Sequence, residues 1–214
     1  MAKKKKQDKK LKDVAKIRRQ IEQMKERGES EWCEARQSPI HGSGVYARKF
    51  IPAETRILEY VGEKINKEES ERRAWAQMEH AEETGNAAVY IFTLSKKWDI
   101  DGNVPWNLAR LVNHSCDPNC QTWIENKRIF YYALRDIEPG EELTFDYGFD
   151  IECYEDHPCR CGAENCVGYI VIRDQWPELR KRLKEKAKKA EKEARKKERK
   201  AAKEAAKEVG KKAT

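Results

Sequence analysis

Ala109-Arg110-Leu111-Val112-Asn113-His114-Ser115-Cys116-Asp117-Pro118-Asn119-Cys120 gathers an amide, an imidazole, a hydroxyl and two thiols ahead of and around a turn-forming Asp-Pro-Asn. So dense a run of polar, chemically capable side chains between apolar segments is poor material for a core and good material for a site. Just before it, Asn107–Val112 reads as one or two helical turns. After it, Thr122–Glu125 and Arg128–Leu134 are β-rich and face each other across Asn126-Lys127, the pattern of a hairpin. Pro139-Gly140 marks another turn, and Glu142–Phe145 another short strand inside Gly140-Glu141-Glu142-Leu143-Thr144-Phe145-Asp146-Tyr147-Gly148.

Upstream, His41-Gly42-Ser43-Gly44-Val45-Tyr46-Ala47 opens a strand expected over Val45–Phe50, which ends at the Ile51-Pro52-Ala53 turn. Arg56–Val61 alternates in part. A polar helix is expected over about Lys67–His80 and a loop over Glu82–Asn86. Val89–Leu94 and Trp98–Asp101 read as strands, the second ending in Asp101-Gly102. Many short strands joined by varied turns predict small sheets rather than a doubly wound α/β fold. The glycines of Gly42-Ser43-Gly44 do not make a dinucleotide loop, because β-like residues rather than a helix follow them.

The whole chain has 214 residues, 38% hydrophobic and 39% charged, with a mean hydropathy of −1.00. That is more charge than one globule carries throughout. The net charge of +7 is unevenly spread: residues 1–30 hold 12 basic and 5 acidic side chains, residues 178–214 hold 17 and 7, and residues 31–177 hold 16 and 26. All 19 aromatic residues fall in the acidic middle. The expected organisation is therefore an acidic, aromatic core between two basic tails, helical or disordered. A basic partner suits the core and an anionic one, nucleic acid included, suits the tails; solubility alone is the bland reading. In the first tail Leu11, Val14, Ile17, Ile21 and Met24 recur at helical spacing. In the second, Pro177 fits a first helical position and Leu179 and Leu183 lie four apart; a frayed or partly exposed helix contributing little to the core is expected. No apolar run is long enough for a transmembrane helix, and no apolar segment follows the basic start as a secretory signal requires.

Seven cysteines without an export signal favour thiols or metal over disulfides. Cys159, Cys161 and Cys166 form C-x-C-x4-C, and zinc in a structural site takes four such ligands in a tetrahedron. An intracellular setting is expected, and the Lys3–Lys6 run reads either as a nuclear address or as part of a disordered basic arm.

Taken in order, the Gly42-Ser43-Gly44 loop, Asn113-His114-Ser115-Cys116, Glu142-Leu143-Thr144-Phe145-Asp146-Tyr147 and Cys159-Arg160-Cys161…Cys166 resemble the SET-domain protein lysine methyltransferases with a post-SET zinc segment. The likeness covers about residues 33–170 and neither tail. It implies a mainly β fold with short helices, in which small curved sheets surround a pseudo-knot: the Glu142–Tyr147 segment passes under the loop holding Asn113-His114. The expected division is a basic arm over 1–30, a SET domain over 33–150, a post-SET segment over 151–172 and a basic C-terminal tail over 173–214.

The resemblance also implies roles. S-adenosylmethionine would be the methyl donor, contacted near Gly42, Ser43, Gly44 and Val45 and by Tyr90, Arg110, Asn113 and His114. Tyr147, Tyr90 and Phe145 would line the transfer site, Tyr147 with its hydroxyl toward the methyl group. A Phe rather than a Tyr at 145 leaves room for di- and trimethylation. Cys116 would complete one zinc site with Cys159, Cys161 and Cys166, with Cys120 an alternative fourth ligand and Cys33 and Cys153 left over. His114 acts either structurally or as a general base. Histones or other Lys-rich proteins are the expected substrates, in the nucleus on chromatin for a eukaryote and in the cytoplasm or nucleoid for a bacterium. Trp106 departs from the family, which usually has Gly before this Asn, and bears on the wall of the cofactor cleft. A non-catalytic scaffold that binds chromatin or nucleic acid through its tails is the rival reading.

Overall fold

The computed structural model describes residues 2–84 and 90–212; of the loop expected over Glu82–Asn86, residues 82–84 are instead the end of a helix, and its remainder and the start of the strand expected at Val89 lie outside the described residues. The chain forms two compact units. The first runs to Asp146 and takes back Cys159–Cys166; the second comprises Tyr147–Pro158 and the chain from Val167 onward.

In the first unit a long helix α1 (Ala2–Gly28) precedes β1 (Cys33–Gln37), β2 (Ser43–Ala47), β3 (Arg56–Tyr60), β4 (Glu63–Asn66), α2 (Lys67–Thr84), β5 (Ile91–Thr93) and β6 (Trp98–Asp101). A 3-10 turn (Leu108–Leu111), β7 (Asn113–His114), β8 (Cys120–Glu125), β9 (Arg128–Ala133) and β10 (Glu142–Phe145) complete it. Three small sheets result, with strand orders β1-β2-β10-β7, β3-β9-β8 and β4-β6-β5. The expected mainly β fold with short helices is what forms, although the two terminal helices are long.

The β8–β9 hairpin follows from its turn. Asn126 and Lys127 both have left-handed backbones, φ 50° and 61°, and two such residues give a turn whose twist matches that of the strands. Strand β9 lies between β3 and β8, so Ile129, Phe130, Tyr131 and Ala133 are all buried. That is why its sequence lacks clean alternation. Strands β1 and β4 were not anticipated, because each is an edge strand burying one residue, Cys33 and Ile65 respectively. The strand expected at Val45–Phe50 instead occupies Ser43–Ala47.

Helix α2 extends to Thr84, beyond the expected His80. The Asn66 side chain accepts from the Glu69 N–H at 2.9 Å and so caps its start. Arg73 then ties the helix to the β4-β6-β5 sheet, 2.8 Å from Glu63 and 2.7 Å from Asp101. From Leu11 on, helix α1 leaves Leu11, Val14 and Ile17 exposed and packs at its C-terminal end. Arg27 reaches the buried Glu59 on β3, Ser30 donates to the Ile57 carbonyl at 2.6 Å, and Gly28 passes so close to the Trp106 carbonyl that a Cβ would lie 2.6 Å from it.

The second unit has its own small core. Ile151, Tyr154, Val171 and Leu179 are buried, and Trp176 and Leu183 pack against them. A 3-10 segment (Ile151–Asp156) is capped by Asp150, whose side chain accepts from Glu152 N–H. Helix α3 (Trp176–Lys212) follows. The expected small core contribution needs correction: Leu179 is fully buried, because the first two turns close over Tyr154 and Val171 before the helix runs on in Lys, Arg, Glu and Ala. Among the described residues no helix is long and apolar enough to cross a membrane.

Candidate methyl-transfer site and thiolate cluster

The central strand of the first sheet organises the site. β10 pairs antiparallel with β2, Leu143 opposite Val45, and parallel with the two-residue β7, Thr144 opposite Asn113 and Phe145 opposite His114. The two motifs that sequence placed far apart thus lie side by side. Asn119 pins the arrangement. Its carbonyl oxygen accepts from Thr144 N–H at 2.8 Å, and its amide donates to the Glu142 carbonyl at 2.8 Å and the Glu141 carboxylate at 2.9 Å.

Glu142 is the hub. Its carboxylate accepts from Asn113 at 2.7 Å, from Ser38 at 2.8 Å and from Tyr46 at 2.9 Å. The same Asn113 amide reaches the Ser43 carbonyl at 3.1 Å and Ser38 at 3.2 Å. The 38–44 loop is therefore held to β7 and β10 through one carboxylate and one amide. Gly44 is required by this closeness, since a Cβ there would sit 2.2 Å from Glu142 Oε1. Gly42, at φ 48°, and Ser43 are exposed, whereas Val45 is buried in the sheet. Ser38, Tyr46, Asn119 and Glu142 were missed in the sequence. Tyr46 and Glu142 lie inside the motif stretches without an assigned role, Asn119 reads as a turn residue, and Ser38 carries no signal.

An aromatic wall stands on the other side of β10. Phe145 stacks on Phe92 at 5.9 Å and meets Tyr131 edge-on at 5.0 Å, while Tyr60 lies 5.2 Å from Phe92 and donates to the Tyr90 carbonyl at 2.8 Å. Arg110, carried by the 3-10 turn, lies 5.0 Å over the Tyr90 ring. Of the residues expected near the methyl donor, Arg110 meets Tyr90, and Asn113 meets the Ser43 carbonyl beside Gly42, Gly44 and Val45, all within the first unit. Tyr147 opens the second unit, its ring 5.5 Å from Phe149.

Two buried donors, Arg110 Nε and Trp106 Nε1, have no hydrogen-bond partner among the described residues. Buried N–H groups left unmatched are costly. A ligand bringing carboxylate, hydroxyl and ring-nitrogen acceptors, as S-adenosylmethionine does, fits such donors. Trp106 also receives Lys25 of α1 over its ring at 5.5 Å, so the residue that departs from the family pattern is packed rather than protruding.

His114 is 4% exposed, with Nδ1 3.8 Å from Asp146 and Nε2 3.7 Å from Cys116 Sγ. Burial lowers its pKa, against the pull of Asp146.

Cys116, Cys159, Cys161 and Cys166 bring all four sulfurs within 4.8 Å of one another, with Cys116 3.9 Å from Cys159 and 3.8 Å from Cys166. Four thiolates at about 2.3 Å from a tetrahedral zinc would be about 3.8 Å apart, so the donor set fits that ion. Burial works against the Cys161 thiolate, yet N–H groups of Cys116 and Ala163 hold its pKa at about 7. Burial pushes Cys159 upward. The alternative ligand Cys120 points elsewhere: it hydrogen-bonds Asn119 Oδ1 at 3.4 Å, and burial pushes its thiol up to about 12. Cys33 is likewise buried and pushed up to about 11, and Cys153 is exposed.

Residues 42–148, half of the chain, match the family model described as SET domain. The chain belongs to the SET-domain family. It is 45% identical over 135 residues to Histone-lysine N-methyltransferase trr of Drosophila melanogaster, covering 60% of this chain and 5% of that protein. It is 40% identical over 139 residues to the proteins named Histone-lysine N-methyltransferase, H3 lysine-4 specific, of Candida albicans and Saccharomyces cerevisiae, covering 62% of this chain and 13% and 12% of theirs. The chain thus spans a small fraction of the length of the curated relatives it matches.

Proposed function

We propose that this chain is an S-adenosylmethionine-dependent protein-lysine N-methyltransferase acting on histone tails or other Lys-rich basic segments. The observation that carries the reading is the Asn113–Glu142 link, which braces the 38–44 loop against the strand bearing Phe145. When bound, S-adenosylmethionine supplies a methyl group made electrophilic by its sulfonium. The protein must then present a neutral amine. A free lysine has a pKa of about 10.4, so only about one in 10³ is neutral near pH 7. Tyr90, Phe92 and Phe145 supply low-polarity walls that favour the uncharged form by desolvation. Arg110, Asn113, His114 and the Gly42–Val45 loop would orient the donor, because in-line transfer demands reacting atoms about 3–3.5 Å apart.

Tyr147 is assigned as the catalytic hydroxyl, on the family pattern of the Asp146-Tyr147 pair. Tyr147→Phe is expected to lower methyl transfer by about tenfold or more while leaving donor binding in place, since misplacing one aligned group carries costs of this order. The deciding experiment is a labelled methyl-donor assay of the full chain on histone H3 and Lys-rich peptides. No transfer by metal-replete protein would end the reading and leave a non-catalytic scaffold.

Phe145 offers no hydroxyl to hold a water against the amine, so di- and trimethyl-lysine are expected products. Phe145→Tyr should shift the mass-spectrometric product distribution toward monomethyl-lysine. Only monomethyl product from the unaltered chain, even after extended turnover, would refute that assignment. The Cys116, Cys159, Cys161 and Cys166 cluster is proposed to hold one structural zinc. The relatives' names favour histone H3 as a substrate and chromatin as the setting. The acidic core is proposed to attract basic substrates and the basic tails to add non-specific nucleic-acid contact.

A further inference from the structure

Helix α3 is anchored by one side only. On that side Leu179 is buried, Arg182 reaches Glu152 at 3.2 Å and Lys186 reaches Glu155 at 2.8 Å. Away from it, Lys181, Lys184, Lys188, Lys192, Arg195 and Arg199 recur at spacings of three or four and are all exposed. At about 100° per residue these six fall within a sector of about 80° that holds no acidic residue. Their separation along the axis, Lys181 to Arg199, is about 27 Å. Lys184, Lys188, Lys192 and Arg199 have no ion-pair partner among the described residues. Lys181 and Arg195 have only exposed neighbours on the same helix, Glu178 at 4.0 Å and Glu191 at 2.7 Å.

We propose that this face of α3 is a docking surface for the phosphate backbone of duplex nucleic acid. The proposal deepens the tail reading given under Proposed function by assigning it to one helix face, and it does not depend on methyl transfer. Charge complementarity argues for the partner. Protein interfaces draw their energy from buried aromatic and aliphatic anchors, and the stripe offers none; phosphate binding needs only cations and released counterions. Single strands are held by stacking on aromatic rings. The chain has no aromatic residue beyond Trp176. Trp176 itself is committed, its indole donating to the Val171 carbonyl at 2.9 Å with Arg173 5.1 Å over the ring. Those two residues line a groove of ≈ 660 Å³ together with Arg180, Lys181, Lys184, Lys188 and the single acidic residue Glu185, so the cationic strip begins where the helix leaves its core.

The test is fluorescence anisotropy with the full chain and a labelled random-sequence 20-bp DNA duplex, across a salt series. With about six phosphates neutralised, log K should fall against log salt with a slope of about −5. Lys184→Gln/Lys188→Gln/Lys192→Gln should weaken binding about tenfold or more and reduce that slope by about three, with helicity by circular dichroism unchanged. Lys12→Gln/Lys16→Gln/Arg19→Gln on α1 removes the same charge elsewhere and should change affinity much less. An equal loss in the α1 variant would reduce the effect to net charge and overturn the proposal. So would tighter binding of the single strand, or polyglutamate binding as tightly as duplex. Peptide methylation, measured in parallel, should be the same for both variants, so absent methyl transfer and absent DNA binding are read separately.

Discussion

Cys161→Ser is expected to leave the chain with well below one zinc by elemental analysis, to lower its unfolding temperature and to abolish methyl transfer. The four sulfurs lie within 4.8 Å of one another, and Cys116 stands 3.9 Å from Cys159 and 3.8 Å from Cys166, the separation a tetrahedral ion requires. Without an ion, that arrangement has little to hold it, because burial disfavours the Cys159 thiolate and packed thiols repel once charged. With the ion, binding free energy becomes folding free energy, on the order of 10 kcal/mol for structural zinc. The cluster belongs to the first unit although three of its members lie beyond Asp146, so the metal would close that unit. Protons compete with zinc for the thiolates, so metal should be lost as pH falls, not as it rises. Cys120→Ser is the control and should retain metal, its thiol being buried and engaged with Asn119. Full metal retention by Cys116→Ser would refute the site.

Asn113→Ala should weaken binding of the methyl donor about 10²-fold and destabilise the chain by about 2–3 kcal/mol. Asn113 is 7% exposed, and its two N–H protons are shared among Glu142, Ser38 and the Ser43 carbonyl. Truncation leaves a carboxylate and a carbonyl short of donors in a part-buried setting, at about 1–3 kcal/mol for each such loss. The 38–44 loop then keeps fewer ties to β7 and β10. Asn113→Asp should be worse, since it sets a second carboxylate against Glu142. Calorimetric titration with the methyl donor, together with urea unfolding, reads both effects. Donor affinity unchanged in Asn113→Ala, with the protein folded, would remove the loop from the cofactor site.

Much of the fold was legible because it is local. The Asn126-Lys127 turn declared its hairpin, Trp98–Asp101 and Glu142–Phe145 formed where their residues indicated, and the 3-10 turn arose within Asn107–Val112. The missed strands β1 and β4 lie on sheet edges and bury a single side chain each, so no hydrophobic period marks them. The site was legible as motifs and illegible as a network. Glu142 sits in the Gly140–Gly148 motif, yet its partner Ser38 lies 104 residues away and in no motif.

The residue pattern alone determined an acidic, aromatic middle between basic ends and the C-x-C-x4-C run of thiols, and the ordered motifs implied the family by resemblance. Those are properties of composition and of neighbours along the chain. Tertiary structure decided which distant groups share a charge or a hydrogen bond. It placed Cys116 rather than Cys120 with the three later thiols, made Glu142 the carboxylate that braces the loop, buried His114 between Asp146 and Cys116, and turned one face of α3 outward as an uninterrupted row of cations. Such choices depend on desolvation and on donors and acceptors meeting across the fold, and neither has a period that a linear sequence displays.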